Sequence, residues 1–395
     1  MPATIALALV AFVIGVDGYI IAAVLPAVAE DLREPISAVG LVASAYSLPF
    51  ALFAPLFAPL FGPLSDRRGR RFAILLGLAV FCVAAAACVL APNLPMLIAA
   101  RAVNGLGAAI TLPALLALAG DLPSVAERGR AISLVAGMIP LSSLLGLPLG
   151  ALAAALAGWR AAFVLVLLVA LAAFVLVFRH ARQQSAPARD SRYLEPYRIV
   201  LSHPRAPRIM VVTLVWFFGA FGLFVYMAEF IHVSYGVPTD LAGLVYVAVG
   251  TVGVVATRLS GRVIAGVGPR RAVLVGLTLF VLAVFSLPLT TAALPLTVVA
   301  FSVWAFGVWL ALPALQTIVA GLSSTARGTM LSFNTSAQNL GGVFGPAVTG
   351  AIIGAAGFSA AARWTSLVGL VALAIAWAVL TTGEAAASAV PAAGE

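Results

Sequence analysis

Charge is scarce in this sequence, and lysine is missing altogether. Only 9% of the 395 residues are charged, whereas a soluble domain carries about 25%. With 63% hydrophobic residues, no water-soluble fold of this length could bury so much apolar surface, so lipid must surround most of the chain. The net charge of +9 does not indicate a nucleic-acid partner, because the arginines that produce it lie in short segments between apolar runs.

Residues that form disulfides or bind metals are also rare. Cys82 and Cys88 fall in one apolar run, and six residues along a helix separate them by about 9 Å, too far for a disulfide. The three histidines have no metal-ligand spacing, and the sequence shows no Gly-rich phosphate loop and no nucleophile–base pair. We therefore predict no metal, no cofactor and no enzyme activity. The histidines are His180, His203 and His232.

The apolar residues fall in runs long enough to cross a bilayer, which takes about 20 residues in an α-helix. Only helices or closed barrels satisfy the backbone in lipid, and continuous runs without alternation favour helices. We therefore predict an all-α membrane protein with twelve transmembrane helices. The predicted spans are 3–28, 38–62, 72–91, 95–119, 130–156, 160–178, 209–232, 240–262, 271–290, 294–320, 328–354 and 362–381.

The arginines predict the orientation of these helices. Seventeen of the 22 lie on one side of the predicted membrane, and only Arg33, Arg160 and Arg363 lie on the other. Arginine-rich loops stay in the cytoplasm, so we place both termini there and the multi-pass protein in a bacterial inner (plasma) membrane. The predicted units are a six-helix bundle at 1–178, a cytoplasmic linker at 179–208, a second six-helix bundle at 209–382 and a cytoplasmic tail at 383–395.

The two predicted bundles are related by an internal repeat. The segment GPLSDRRGRR at 62–71 has a weaker copy at 261–271, 199 residues later. An even number of spans in each half makes this a parallel repeat, with a pseudo-two-fold axis along the membrane normal. Three further pairs share nearly the same offset: 128–134 with 327–333, 112–115 with 312–315, and Pro148 with Pro346.

Ionisable side chains inside the spans are the first candidates for function, because placing them in lipid is costly. Asp17 lies in span 1, Arg101 in span 4 and Glu229 near the outer end of span 7, and we predict that these three residues serve proton coupling. Structural alternatives stay open. Asp17 can cap a helix break, Arg101 can pair with Asp17 as internal glue, and Glu229 can be solvated at the interface.

The remaining polar residues predict a central cavity. Spans 3, 6, 9 and 12 carry no ionisable residue in their cores, as expected of helices that face lipid. Spans 1, 4, 7 and 10 would then surround a cavity. The predicted cavity residues are Tyr19, Asn104, Tyr226, Gln316, Gln338 and Asn339.

Glycine and proline occur together in spans 5 and 11. Proline removes a helical hydrogen bond and kinks the helix, and spaced glycines let helices approach closely. We predict hinges here, with ordinary tight packing as the alternative. The predicted hinge residues are Gly146, Pro148, Gly150, Gly345 and Pro346.

Three motifs resemble those of the major facilitator superfamily, and the likeness covers nearly the whole chain. The segment 62–71 resembles that superfamily's signature between spans 2 and 3. Residues 97–109, with Arg101 and with Asn104 where Gln is usual, resemble the span 4 motif of its twelve-span drug:proton antiporter group. Asp17, followed by the Leu-Pro pair at 25–26, resembles the span 1 motif of that group.

This resemblance implies a fold of two six-helix bundles and a role for Arg101 in proton coupling. It also implies a cytoplasmic gate in which Asp66 faces the positive N-terminal end of span 11 and Asp121 pairs with Arg70. Ala265 stands where the second copy would need an acid, so the gate must be asymmetric. The implied gate residues are Gly62, Asp66, Arg67, Gly69, Arg70, Arg71 and Asp121.

A second departure concerns span 5, where Leu147 precedes Pro148 in place of the glycine of the antiporter motif. The better Gly-Pro match, Gly345-Pro346, lies in span 11. This departure weakens the antiport direction and leaves the fold unaffected. Asp17 and Arg101 inside the spans, the charged hairpin and the twelve-span repeat favour proton-coupled export of drugs or other xenobiotics by alternating access, with two alternatives. These are export of one metabolite, such as a sugar or a nucleobase, and uptake by proton symport. We expect a monomer whose partners are a small-molecule substrate, protons and lipid, with no nucleic acid.

Overall fold

The computed structural model describes residues 2–120, 125–180, 195–242, 244–323 and 325–387, and all regular structure within these ranges is α-helical. The predicted all-α fold class is confirmed. In chain order the helices are α1 (Pro2–Leu32), α2 (Ile36–Val39), α3 (Leu41–Arg68), α4 (Arg70–Leu90), α5 (Leu94–Gly120), α6 (Val125–Ala157), α7 (Trp159–His180), α8 (Glu195–Ser202), α9 (Ala206–Phe224), α10 (Met227–Tyr235), α11 (Thr239–Ala242), α12 (Val245–Val267), α13 (Pro269–Thr290), α14 (Leu294–Gly321) and α15 (Arg327–Ala387).

Every predicted span falls on this set of helices. Within the described ranges, ten helices are long and apolar enough to cross a membrane, so the count of twelve stays a prediction. α15 contains the last two predicted spans, because Gly357, with φ 76° and ψ 178°, breaks an otherwise continuous helix. The described apolar part of α6, Leu145–Ala157, is shorter than a full span.

The helices continue past the predicted spans at the arginine-rich end of the bundle, where α3, α7 and α14 finish. α3 ends at Arg68 and α4 begins at Arg70. The segment 62–71 is therefore mostly helix with Gly69 as its turn, and the expected charged hairpin is shorter than the sequence indicated. The difference arises because an apolar run marks the lipid-facing length, whereas backbone hydrogen bonds extend the helix beyond it.

Two pairs of glycines support the internal repeat. Gly69 has φ 88° and ψ 153°, and Gly268 has φ 84° and ψ 156°. Gly158 and Gly357 have φ 78° and 76°. Positive φ suits glycine because it has no Cβ. The members of each pair are 199 residues apart, so the same turns recur at the same places in the two halves of the chain.

The helix contacts repeat as well. A Cβ on Gly107 would lie 2.6 Å from a backbone nitrogen of α4, and a Cβ on Gly307 would lie 3.0 Å from a backbone nitrogen of α13. Small residues at such points let two helices approach within backbone contact. The pair α4–α5 in the first half and the pair α13–α14 in the second are therefore built alike.

The glycines predicted as hinges lie where helices touch. A Cβ on Gly146 would lie 2.9 Å from Val16 Cγ2, so α6 packs closely on α1. A Cβ on Gly345 would lie 3.0 Å from the backbone nitrogen of Gly222, so α15 packs closely on α9. The helices continue through both prolines. The hinge role stays a prediction for Gly146, Pro148, Gly150, Gly345 and Pro346.

The predicted linker at 179–208 is only partly described, because residues 181–194 lie outside the described ranges. The division into bundles at 1–178 and 209–382 therefore stays a prediction, as does the tail. α8 packs against α15, where the rings of Tyr197 and Phe333 are 5.8 Å apart. Burial raises the pKa of the Tyr197 hydroxyl above its usual value, so Tyr197 stays neutral at physiological pH.

Candidate functional site

An ion pair lies between α1 and α5 with no exposure to solvent. Arg101 Nη1 lies 2.8 Å from Asp17 Oδ2, and both side chains have 0% exposure. Arg101 Nη2 also donates to the backbone carbonyl of Asp17 over 3.0 Å. The sequence singled out both residues, and the fold brings them into direct contact. Two buried charges in such contact offset part of each other's desolvation cost, whereas either charge alone would be strongly destabilising.

The pair is not fully satisfied. Asp17 Oδ1 and Arg101 Nε are buried without a hydrogen-bond partner among the described residues. Aromatic rings cover the guanidinium instead, with its Cζ 4.3 Å from the Tyr46 ring centroid and 5.7 Å from that of Phe163. Such faces attract a cation, but they leave the carboxylate oxygen free to accept a proton or a new donor.

A central cavity of about 190 Å³ lies beside the ion pair. Both halves of the chain contribute to it, from α1, α3 and α5 on one side and α9 and α15 on the other. Of the predicted cavity residues, Tyr19, Gln338 and Asn339 line its wall. Asn339 Nδ2 donates to the carbonyl of Thr335 over 2.9 Å, which fixes its orientation within α15.

Tyr46 separates the cavity from the ion pair. Its ring lines the cavity and also faces Arg101 at 4.3 Å. Its hydroxyl donates to the carbonyl of Ile14 over 3.0 Å. A Cβ on Gly18 would lie only 3.3 Å from the same ring, so α1 and α3 clamp Tyr46 in place. Sequence reasoning missed this residue, because the rotation of a helix about its axis is not readable from one sequence.

Aromatic rings from the two halves meet at Tyr19. The ring centroid of Tyr19 lies 6.4 Å from that of Phe221, 5.8 Å from that of Phe224 and 6.5 Å from that of Trp309. Phe224 in turn stacks on Trp304 at 5.7 Å. These contacts join α1, α9 and α14 in one apolar cluster next to the cavity.

Three predicted cavity residues lie elsewhere in this conformation. Asn104 is fully buried in α5, and Gln316 is exposed near the end of α14. Tyr226 is fully buried and donates to the carbonyl of Pro346 over 2.9 Å. None of the three lines the cavity formed by the described residues.

Tyr226 interrupts the predicted span 7. With φ −103° and ψ 8° it separates α9 from α10, where the sequence predicted one helix over 209–232. Its hydroxyl occupies the space that a side chain on Gly40 or Gly350 would need. Gly40 ends α2 in the first half, and Gly350 belongs to α15 in the second. The two halves therefore meet around one tyrosine at the far end of the bundle, where α1, α4 and α6 finish.

A polar cluster at the far end was not foreseen from the sequence. Arg160 Nη1 lies 2.7 Å from Asp31 Oδ2, and Trp159 Nε1 donates to the same oxygen over 2.9 Å. Arg160 Nη2 also donates to the carbonyl of Ala91 over 3.0 Å. This cluster ties the ends of α1 and α4 to the start of α7, and the Gly-Trp-Arg sequence at 158–160 is the signal that could have found it.

Glu229 does not join the ion pair. It lines an open pocket at the far end, together with Glu30, Glu34 and His232. Its predicted part in proton coupling therefore has no contact with Asp17 or Arg101 among the hydrogen bonds and ion pairs of the described residues. Within those residues no group of His, Cys, Asp and Glu could hold a metal ion.

The predicted gate is described only in part. The side chains of 54–67 lie outside the described part of the structure, and so do residues 121–124. That leaves Gly69, Arg70 and Arg71, of which Gly69 forms the turn. Arg71 donates to the carbonyl of Phe178, and its Cζ lies 5.2 Å from that residue's ring centroid. A cation at the end of α7 suits the negative end of the helix dipole. The gate residues outside the described side chains are Gly62, Asp66, Arg67 and Asp121.

Long apolar helices around a cavity, with an ion pair buried in the middle of two of them, are the features of a polytopic membrane transporter. The sequence profile of the Major Facilitator Superfamily matches residues 7–346. The chain belongs to this superfamily, whose members are membrane transporters and not enzymes and typically need no cofactor. The predicted family is confirmed.

Relatives and solved structures agree with this assignment. The chain is 27% identical over 368 residues to the uncharacterised MFS-type transporter YwfA of Bacillus subtilis (strain 168), covering 91% of this chain and 88% of that one. It is 26% identical over 341 residues to Multidrug resistance protein 2 of the same organism, covering 83% and 82%.

Among solved structures, the chain resembles a bacterial homologue of the human lysosomal transporter Spinster in an inward-facing and unoccupied conformation. The TM-score is 0.78 at 19% identity, with 95% of this chain and 96% of that one covered. At this identity the likeness establishes the fold.

Proposed function

We propose that this transporter exports small molecules by proton-coupled alternating access. The observation that carries the proposal is the buried pair of Asp17 and Arg101, whose neighbour Tyr46 also lines the central cavity. A titratable group in mid-membrane next to a cavity is what coupling between a proton and a substrate requires.

The pair has two distinct charge states. With Asp17 ionised, the carboxylate holds Arg101 at 2.8 Å. A proton on Asp17 removes that attraction and leaves the guanidinium without a counter-charge, so its surroundings must rearrange. A ligand, here the proton, shifts a conformational equilibrium only if it binds the two conformations with different affinity. Coupling therefore follows if one conformation favours ionised Asp17 and the other favours protonated Asp17.

Packing at the far end supports alternating access. Tyr226 lies between Gly40 of the first half and Gly350 of the second, with no room for another side chain. The arginine-rich end belongs in the cytoplasm by the positive-inside rule, which puts both termini there and Tyr226 on the outer side. We accordingly assign this conformation as closed to the outside. The gate residues of segment 62–71, with Asp66 foremost, would close the cytoplasmic end in the opposite conformation.

Two observations favour xenobiotics as the cargo. The cavity wall is mostly apolar, with Phe50, Phe217 and Phe221 among its residues. A relative that matches 83% of this chain is named Multidrug resistance protein 2. A bacterial inner membrane is the expected location, because the relatives include bacterial MFS-type transporters.

A second candidate function keeps the fold and changes the cargo. Gln338 and Asn339 give the cavity two amides without a charge, which would also suit export of one neutral metabolite. Uptake by proton symport uses the same parts in the opposite direction. A resistance screen in a pump-deficient host separates these readings: broad resistance favours drug export, and depletion of one cell metabolite favours the second.

Flux measurements on the purified protein in vesicles test the proposal. With an imposed pH gradient, substrate accumulation should depend on the gradient in the wild type and disappear in Asp17→Asn. Asp31→Asn is the matched control, because it removes an acid from the same helix at a half-exposed position away from the cavity. Undiminished gradient-driven flux in Asp17→Asn would show that Asp17 is not the proton carrier.

A further inference from the structure

Five flat aromatic side chains contribute to the cavity wall. A volume of about 190 Å³ slightly exceeds the roughly 150 Å³ of an engineered protein cavity that binds benzene. One ring or two fused rings therefore fit between these walls and gain contact on both faces. The rings are Tyr19, Tyr46 and Phe50 from the first half and Phe217 and Phe221 from the second.

No charged side chain lines this cavity among the described residues. The sequence itself has no charged residue over 36–65 or 131–159. Asp17 lies behind Tyr46 and is already neutralised by Arg101. A cation entering the cavity would lose its hydration without gaining a carboxylate, which is unfavourable.

The π-face of Tyr46 does not compensate for this loss. The Tyr46 ring already faces the guanidinium of Arg101 at 4.3 Å. A second cation on its other face would lie close to the first and be repelled by it. The chemistry of the wall therefore selects against positive charge, although apolar cavities in general accept aromatic cations.

Among the described wall residues, one fully buried side-chain donor lacks a hydrogen-bond partner. Gln338 Nε2 is buried and makes no hydrogen bond among the described residues. The neighbouring amide of Asn339 and the hydroxyl of Tyr46 are already bonded to backbone carbonyls. A buried donor without a partner is costly, so a ligand that supplies one acceptor is favoured. Sugars and nucleobases, with their many polar groups, suit this mostly apolar wall less well.

We infer that the substrate is an uncharged aromatic compound of one or two fused rings with a hydrogen-bond acceptor that faces Gln338. The inference rests on the proposed transport function in one respect: the ligand of this cavity is called the substrate because the protein is proposed to transport it. It narrows the cargo, since permanent aromatic cations are excluded and plain hydrocarbons bind less well.

Three probes of similar shape test the inference on the purified full-length protein. Quinoline is uncharged at neutral pH and has an acceptor, N-methylquinolinium has a permanent charge and no acceptor, and naphthalene has neither. Binding is followed by quenching of tryptophan fluorescence. We expect quinoline to bind about tenfold or more tightly than either other probe, as one well-placed hydrogen bond allows. Equal or tighter binding of N-methylquinolinium would overturn the inference.

Variants of Gln338 test whether the preference for quinoline arises in the cavity. Gln338→Leu should lower the affinity for quinoline to that for naphthalene and leave naphthalene binding unchanged, which also shows that the variant is folded. Gln338→Glu should reverse the preference, because a carboxylate in the wall favours N-methylquinolinium. Unchanged quinoline affinity in Gln338→Leu would contradict the assigned contact.

Flux measurements with the same probes distinguish the proposed ligand class from the proposed transport function. Selective quinoline binding without gradient-driven flux would refute the transport proposal and leave the ligand class standing. Gradient-driven flux of another solute without binding of any probe would refute the ligand class and leave the transport proposal standing.

Discussion

At the scale of single residues, Asp17, Arg101 and Tyr46 share one small volume, and the proposed coupling depends on the contacts between them. The carboxylate and the guanidinium are 2.8 Å apart with no exposure. Tyr46 covers the guanidinium on one face and borders the cavity with its ring. A ligand in the cavity therefore touches a side chain that itself touches the ion pair.

Removing one partner of this pair should destabilise the protein. Arg101→Gln leaves the Asp17 carboxylate buried without a counter-charge, and breaking a buried pair in this way costs about 3–5 kcal/mol. The apparent Tm of the purified protein, from thermal unfolding in detergent, should drop clearly. The double variant Asp17→Asn/Arg101→Gln removes both charges and should recover much of the loss. A double variant as unstable as the sum of the two single variants would rule out a stabilising pair.

Tyr46 should matter through its ring more than through its hydroxyl. Tyr46→Leu removes the surface between cavity and guanidinium, where a desolvated cation–π contact contributes about 2 kcal/mol. Gradient-driven flux should then fall by about tenfold or more. Tyr46→Phe keeps the ring, loses only the hydrogen bond to Ile14, and should retain most of the flux. Initial rates of gradient-driven flux in vesicles check both predictions. If Tyr46→Phe is as impaired as Tyr46→Leu, the hydroxyl and not the ring is required for flux.

At the scale of helices, close glycine contacts hold the bundle together and recur in both halves. Gly107 and Gly307 occupy equivalent points 200 residues apart, each against the backbone of the neighbouring helix. In lipid there is no hydrophobic force between helices, so such packing is a principal source of their association.

Alanine at these glycines should separate the helices. Gly107→Ala and Gly307→Ala place a Cβ 2.6 Å and 3.0 Å from a backbone nitrogen, and overpacking costs typically about 1–3 kcal/mol. Both variants should unfold at lower temperature by similar amounts, because the nearest backbone atom lies 2.6 Å from a Cβ on Gly107 (Phe81 N) and 2.5 Å from a Cβ on Gly307 (Gly276 O). Gly321→Ala is the control, because a Cβ there meets nothing within 4 Å. An equal Tm for all three variants would argue against the contact.

The contact around Tyr226 should set which end of the cavity is closed. Gly350→Ala puts a Cβ against the Tyr226 hydroxyl and 3.1 Å from the Ser37 backbone, so the outer ends should move apart. Ser47 lines the cavity, and a Ser47→Cys reporter should react faster with an impermeant thiol reagent added outside the cell. Gly354→Ala, whose Cβ would lie no closer than 3.5 Å to Ser37, should leave the rate unchanged. No increase in Gly350→Ala would mean that Tyr226 does not close the outer end.

At the scale of the whole molecule, the two halves share turns and helix contacts but not chemistry. Asp17 has Trp216 as its counterpart 199 residues later, and Arg101 has Phe301 at an offset of 200. Both counterparts are buried apolar side chains. The repeat therefore supplies a symmetric frame, and the ionisable pair belongs to the first half alone.

Composition and the length of the apolar runs were sufficient to predict the helical membrane fold, and the motif resemblance predicted the family. The contact of Asp17 with Arg101 was one of the alternatives that the sequence left open. The position of Tyr226 and the break at span 7 were beyond the sequence, because they depend on how two halves contact each other. The cluster of Asp31, Trp159 and Arg160 was also missed, since helix ends distant in sequence come together only in the folded bundle. Apolar length determines that a helix crosses the membrane, but not which of its faces meets the cavity.

The central claim is that one carboxylate carries the proton exchanged for substrate. Its most direct test is proton release by the purified protein in weakly buffered detergent solution, recorded with a pH-indicator dye as substrate is added. The wild type should release protons in proportion to the substrate bound. Asp17→Asn should bind substrate and release none, whereas the control Asp31→Asn should behave as the wild type. Undiminished proton release from Asp17→Asn would contradict the account.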